Sequence, residues 1–260
     1  MPDIGNYTER TELILGEAGK YFALLVFSIL AIRLWRRWVN IPAADKLKNL
    51  PLAGTVSLAA IAIGYFSMCQ SLGKLNLHYG MKAFGEDRLL PALSLFETSS
   101  KYWKSADATG AEGVCLLLLG KPDAGIQRIE NAKSMRDGSS TPFENFYEGL
   151  YFFKQGERTN AVPLLQAAWM DETYRWSVTK LFSIMLLDEN RAADAAEWMK
   201  PFMQADITET DQAYILASLK LADGNKSEAR AILGKFPSEE EDQSIVGKAR
   251  FEKLRAQLGG

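Results

Sequence analysis

The sequence predicts an all-α protein: an N-terminal transmembrane helical hairpin, then an α-solenoid of about five helix pairs, then a C-terminal end helix. Three observations predict it. Five times a small residue is followed seven places later by Gly, Asn or Asp, and five places after that by Ala or Gly. The sets are Gly80/Asp87/Ala92, Gly113/Gly120/Gly125, Gly149/Gly156/Ala161, Ser183/Asn190/Ala195 and Ala217/Gly224/Ala229. They lie 33, 36, 34 and 34 residues apart, the period of stacked two-helix units. Two uncharged apolar runs precede them, and helix breakers fall where connections between helices are needed. The expected division is an N-terminal tail (1–20), a two-helix membrane anchor (21–73), the solenoid (74–238) and a C-terminal capping helix (239–260).

The tail holds Arg10 and Lys20 among four acidic residues. An acidic leader with no small-residue cleavage site after the first apolar run points to an uncleaved anchor. That first run, residues 21–32, places 12 residues between Lys20 and Arg33, about 18 Å of helix. It spans a membrane if both flanking side chains snorkel, with Trp35 and Trp38 at headgroup level. The alternative is an interfacial or re-entrant helix.

Arg33, Arg36, Arg37, Lys46 and Lys48 crowd the connection to the second run, which makes that connection cytoplasmic by the positive-inside rule. The expected location is therefore the inner, cytoplasmic membrane, with the repeats on the periplasmic or other extracytoplasmic side. The second run, residues 51–73, has 23 residues without charge, more than the ~20 that cross a ~30 Å hydrocarbon core. Pro51 reads as its start. Ala53/Ser57 and Ala60/Gly64 are spaced to admit another helix closely. Cys69 follows Phe66, Ser67 and Met68, which are too bulky for a lipoprotein cleavage site. No Pro lies between Leu52 and Phe84, so the second membrane helix is expected to run through Lys74 into the first repeat helix.

Within the repeats, Gln155-Gly156-Glu157 and Asp223-Gly224-Asn225 supply the left-handed residue that ends a helix. Thr141-Pro142-Phe143-Glu144 reads as a helix start with a reciprocal cap, and Ser238 with Glu241 reads likewise. Residues 239–258 are then expected as a polar helix that covers the apolar side of the last repeat.

These units resemble tetratricopeptide repeats, and the resemblance covers residues 74–237. With Gly80, Gly113, Gly149, Ser183 and Ala217 at the family's small eighth position, the large apolar position 24 falls on Phe96, Ile129, Leu165, Met199 and Leu233. Position 27 falls on Ser99, Ala132, Ala168, Phe202 and Phe236. The departures are Phe at position 27 in the last two units, a clear aromatic near position 11 only at Phe152, and a second unit two residues longer than 34. The resemblance implies a concave groove lined by the first helix of each unit, with Phe84, Leu117, Phe143, Phe146, Leu150, Phe153, Ile184 and Tyr214 as its partner-binding residues. Leu77, Met81 and Val114 occupy equivalent places. The same residues read equally as core between helices. The Lys and Asn groups with which chaperone-binding relatives grip a terminal carboxylate are missing, apart from Lys180.

Chemistry is sparse. One histidine, His78, and two cysteines, Cys69 and Cys115, form no triad, disulfide framework or metal set. Residues 239–242 are consecutive acids that a helix N-terminus accommodates. No phosphate loop or nucleophile elbow occurs, and interleaved charges with a net of −2 leave no basic stripe for nucleic acid. No catalysis, cofactor or metal is expected. The expected function is a membrane-anchored scaffold or adaptor that brings a protein or peptide to a membrane complex. Two alternatives share the architecture: an apoprotein chaperone similar to that of cytochrome c maturation, and a permanent structural subunit of a large membrane complex.

Overall fold

The computed structural model describes residues 28, 29, 32, 33, 35–37, 39, 40, 43–203, 207, 209–235 and 244–259, with backbone alone at 43–53 and 56. Among these residues the structure is helical and has no strand. Most of the first apolar run lies outside them; Ser28, Ile29, Ile32, Arg33 and Trp35 are helical and exposed. Trp38, Phe236, Ser238 and the acids at 239–242 also lie outside.

The chain divides into two compact units, Met1–Ser139 and Ser140–Gly260. Compactness is a different criterion from the divisions drawn at residues 20, 73 and 238, and it leaves them as they are. The boundary falls in the connection made longer by the 36-residue spacing, where Asp137 and Gly138 both take positive φ.

In the first unit, α1 is one helix over Ala43–Gly85, about 65 Å long at 1.5 Å per residue. The continuity through Lys74 expected from the missing breaker is present. Its start is not at Pro51 but eight residues earlier, because a proline interrupts one amide hydrogen bond and a long apolar helix tolerates that loss. Among the described residues, one stretch, Ser57–Gly85, is long and apolar enough to cross a membrane by length and composition. α2 (Leu89–Tyr102) folds back on α1, and α3 (Ala106–Leu118) pairs with α4 (Pro122–Ser134).

The second unit contains α5 (Pro142–Lys154) with α6 (Arg158–Trp169), α7 (Glu172–Asp188) with α8 (Ala192–Met199), and α9 (Thr210–Ala222) with α10 (Lys226–Leu233). α11 (Lys248–Leu258) packs on α9 and α10. The start of α5 carries the expected reciprocal cap: Glu144 N donates to Thr141 Oγ1 at 3.2 Å, and Thr141 N donates to Glu144 Oε2 at 2.9 Å. Such a cap stabilises a helix by about 1 kcal/mol.

Each pair closes on one recurrent device. The turn residues Asp87, Gly120, Gly156, Asn190 and Gly224 all have φ between +57° and +82°, the left-handed conformation that stops one helix and redirects the chain. Above the turn, the small residue of the first helix receives the large residue of the second. A Cβ on Gly80 would stand 2.5 Å from the Phe96 ring, on Gly113 2.8 Å from Ile129, and on Gly149 2.9 Å from Leu165. Phe96, Ile129, Leu165 and Met199 have no exposed surface. The position-24 side chain thus fills the crossing inside its own pair.

The end helix is shorter than expected. Residues 244–246 are bends, and Gly247 at φ +79° precedes the first helical residue. Val246 N donates to Asp211 Oδ1 at 3.3 Å, which ties this segment to the start of α9 and removes it from any helix. α11 buries Phe251, Leu254 and Leu258 on one face and leaves Glu252 and Lys253 exposed, the amphipathic pattern of a covering helix.

Candidate functional site

Helix packing decides between groove and core for most of the expected partner-binding residues. In the first unit Leu117 is buried, with its Cγ 2.8 Å from where a Gly125 Cβ would stand. It packs on the second helix of its own pair and is core; Phe84 is half-buried. In the second unit Ile184 has no exposed surface, and Phe146, Leu150 and Phe153 belong to the main apolar cluster. Phe146 stacks on Tyr174 with centroids 5.1 Å apart, so the cavity left by its removal would lie between helices. These five side chains are buried between helices. Phe143 is half-buried at the start of α5, 5.0 Å ring to ring from Tyr147.

Lys180, the isolated remnant of the carboxylate-gripping set, is engaged within the fold. Its ammonium is buried, hydrogen-bonded to Glu209, 3.9 Å from Asp211 and 5.2 Å from the centroid of the Trp176 ring. Burial raises the Glu209 pKa, but the bonds from Lys180 and from Trp176 Nε1, the latter 3.2 Å, outweigh it and hold the carboxyl below its usual range. A cation so neutralised has no charge left for a peptide terminus.

Tyr214 has a different setting. It lines a cleft of about 680 Å³ enclosed by the end of α7, the starts of α8 and α10, α9 and α11. The floor is apolar, with Leu187, Leu221 and Leu254, and the ring of Tyr214 meets Phe251 edge to face at 5.2 Å. Burial, reinforced by the charge of Asp188, pushes the Tyr214 phenol up, so its hydroxyl stays protonated at neutral pH.

The wall of the cleft is an ion-pair network. Asp188 accepts from Arg250 twice, Nε to Oδ1 at 3.1 Å and a guanidinium NH₂ to Oδ2 at 2.9 Å, and from Arg158 at 3.2 Å. Arg250 also donates to Val246 O at 2.8 Å, and its guanidinium carbon sits 5.7 Å from the centroid of the Phe153 ring. The hydrogen bonds to Asp188 raise the Arg250 pKa further, so this cation is permanent. Lys226 and Lys253 line the same cleft and pair with no carboxylate among the described residues. Three cations face one carboxylate. The cleft thus sets these charges beside apolar side chains.

Arg250 and Lys253 were not legible as site residues, because α11 reads in sequence as a cover for the last repeat. The signal available was their spacing, three apart on one helix face. Elsewhere, Cys115 is buried and its thiol is pushed up to about 12, chiefly by burial, which leaves it inert. Among the described residues no group of three or more His, Cys, Asp or Glu side chains is placed to hold a metal ion. No protein-family model matches this chain, and no curated protein and no solved structure matches it.

Proposed function

We propose that this protein is a membrane-anchored, tetratricopeptide-like scaffold on the extracytoplasmic side of a cytoplasmic membrane, and that its α7–α11 cleft receives an acidic, partly apolar segment of a partner protein. The observation that carries the reading is α1 itself. It leaves Leu58, Ile61, Ile63, Tyr65, Phe66 and Met68 exposed, then without a break becomes a packed member of the first pair, with Gly73, Gly80 and Ala83 buried. Exposed large apolar residues along several turns of one helix need an apolar solvent. The crowd of Arg and Lys before residue 49 supports a cytoplasmic connection, and the three glycine crossings with the five regularly spaced turns support a repeat architecture.

Two experiments on the full chain test it. Alkaline extraction of membranes from expressing cells should leave the protein in the pellet, and protease added to intact spheroplasts should cut the repeats; release by alkali or protection from protease overturns the anchor or its direction. A photo-cross-linking residue in place of Gln257, which lines the cleft and is exposed, should capture a discrete partner, and Lys226→Glu with Lys253→Glu should abolish capture while leaving thermal unfolding unchanged. Capture that survives both charge reversals would remove the cleft from the reading.

A further inference from the structure

The end of α2 lies against the part of α1 where its apolar span runs out. Ser99 Oγ donates to Gly73 O at 2.7 Å. Trp103 Cβ passes over Gly73, 2.5 Å from where a Cβ on that glycine would stand, so only glycine admits it. The Trp103 ring then meets Phe66 edge to face, centroids 4.9 Å apart. Trp103 thus covers α1 from Phe66 to Gly73. A hydrocarbon core of ~30 Å takes ~20 helical residues; counted from Leu50, the first apolar residue after Lys48 and Asn49, they end at Cys69. The far edge of the core falls inside the stretch that Trp103 covers.

Around that level the side chains change character. Tyr65 is 67% exposed, Phe66 59% and Tyr102 43%, and Lys101 and Lys104 on either side of Tyr102-Trp103 are exposed. Aromatic rings with a polar edge concentrate where hydrocarbon meets water, and lysines beside them reach lipid phosphates. We infer that Tyr65, Phe66, Tyr102 and Trp103 form a collar at the membrane–water interface, with Lys101 and Lys104 on the phosphates of anionic lipids. The first unit is then held to the bilayer at two points, the span of α1 and the turn between α2 and α3. This rests on the reading of α1 as a membrane helix.

The test uses the full chain reconstituted into phosphatidylcholine vesicles with and without phosphatidylglycerol, prepared plain or brominated at a shallow acyl position. Flotation after alkaline washing reports the anchor separately. Subtracting the emission of Trp103→Phe from that of the parent isolates Trp103 among six tryptophans. The difference emission should fall by roughly half or more in brominated vesicles, as expected for an indole at the interface. Tyr102→Trp in the Trp103→Phe background should restore a quenched signal, which covers the case in which loss of Trp103 disturbs packing. Lys101→Glu with Lys104→Glu should reduce quenching in phosphatidylglycerol vesicles and not in phosphatidylcholine alone. A chain that floats with a difference emission equal in plain and brominated vesicles overturns the collar and leaves the anchor. Quenching indifferent to the lysines overturns their lipid contact, and a chain that does not float overturns anchor and collar together.

Discussion

In α3/α4 of the first unit the two helices touch backbone to backbone. A Cβ on Gly113 would stand 2.8 Å from Gly125 O, and one on Gly125 2.8 Å from Gly113 O. In α7/α8 of the second unit the same two positions are Ser183 and Ala195, both fully buried, and ring contacts surround the crossing. Phe182 meets Trp198 at 4.9 Å, Trp169 meets Trp198 at 5.7 Å, and Trp176 meets Phe202 at 4.5 Å. One spacing thus accommodates two packing solutions: glycine backbones in contact at the crossing, or small side chains there with large rings at the margin. The first solution leaves no slack, because its contacts are backbone atoms that cannot change rotamer. The second has slack, because a ring can turn.

The largest effect that would break this comparison lies at position 24. Phe96→Ala should cost about 3–5 kcal/mol, since a fully buried ring leaves a cavity over Gly80, and Met199→Ala about 2–5 kcal/mol. Urea unfolding in detergent, followed by circular dichroism, measures both. Equal small losses would mean that the crossings are not the centre of the core. Next comes Gly125→Ala, which should destabilise by about 1–3 kcal/mol through overpacking, whereas Ala195→Gly should cost about 1–2 kcal/mol from helix propensity and the lost buried methyl. A stabilised Gly125→Ala protein would show that the first-unit crossing does have slack.

A smaller effect is expected at the ion pairs of the cleft. Asp188→Asn removes the carboxylate shared by Arg158 and Arg250, but Arg158 keeps Glu189 at 2.6 Å and these groups are partly exposed, so solvent screening limits the loss to about 1 kcal/mol. The informative readout is the orientation of α11: hydrogen exchange over residues 248–258 should accelerate, and the rest of the second unit should not.

The smallest effect is a difference in sign with pH. In the first unit, burial raises the Glu112 pKa, although Arg128 at 2.9 Å lowers it in part. The native state then binds more protons than the unfolded one between the ordinary carboxyl value, about 4.3, and the raised value. Stability from this group therefore rises as pH falls through that window. In the second unit Glu209 is shifted down, so its contribution is complete above the ordinary value and is lost as pH falls through the lowered one. Acid titration of unfolding should show the first limb removed by Glu112→Gln and the second by Glu209→Gln. Both variants shifting the same limb would contradict these settings.

The turns were legible in sequence because their demand is local. A residue with φ near +60° must be Gly, Asn or Asp whatever surrounds it, and Asp87, Gly120, Gly156, Asn190 and Gly224 stand at the positions the repeat spacing marked. The Thr141 cap was legible for the same reason, since every partner lies within three residues. The groove was not. Ile184 and Tyr214 read alike as inward residues of a first helix, yet one is enclosed by its neighbours and the other lines a cleft, because a helix face is core or surface according to what packs on it. The cleft depends on Arg250 reaching Asp188 across 62 residues, and no local pattern encodes such a pair.

By itself the sequence determined the helical period, the five redirecting turns, the small residues where helices cross and the apolar helix that continues into the first pair. Each follows from constraints between residues a few turns apart: steric limits on φ, the 3.6-residue face, and the absence of a breaker. Only the tertiary structure decided which inward residues are core, that Lys180 is neutralised by Glu209, and that α11 closes a cationic cleft with Tyr214 on its wall. Burial and ion pairing are properties of what surrounds a side chain, and those surroundings are assembled from segments far apart in the chain.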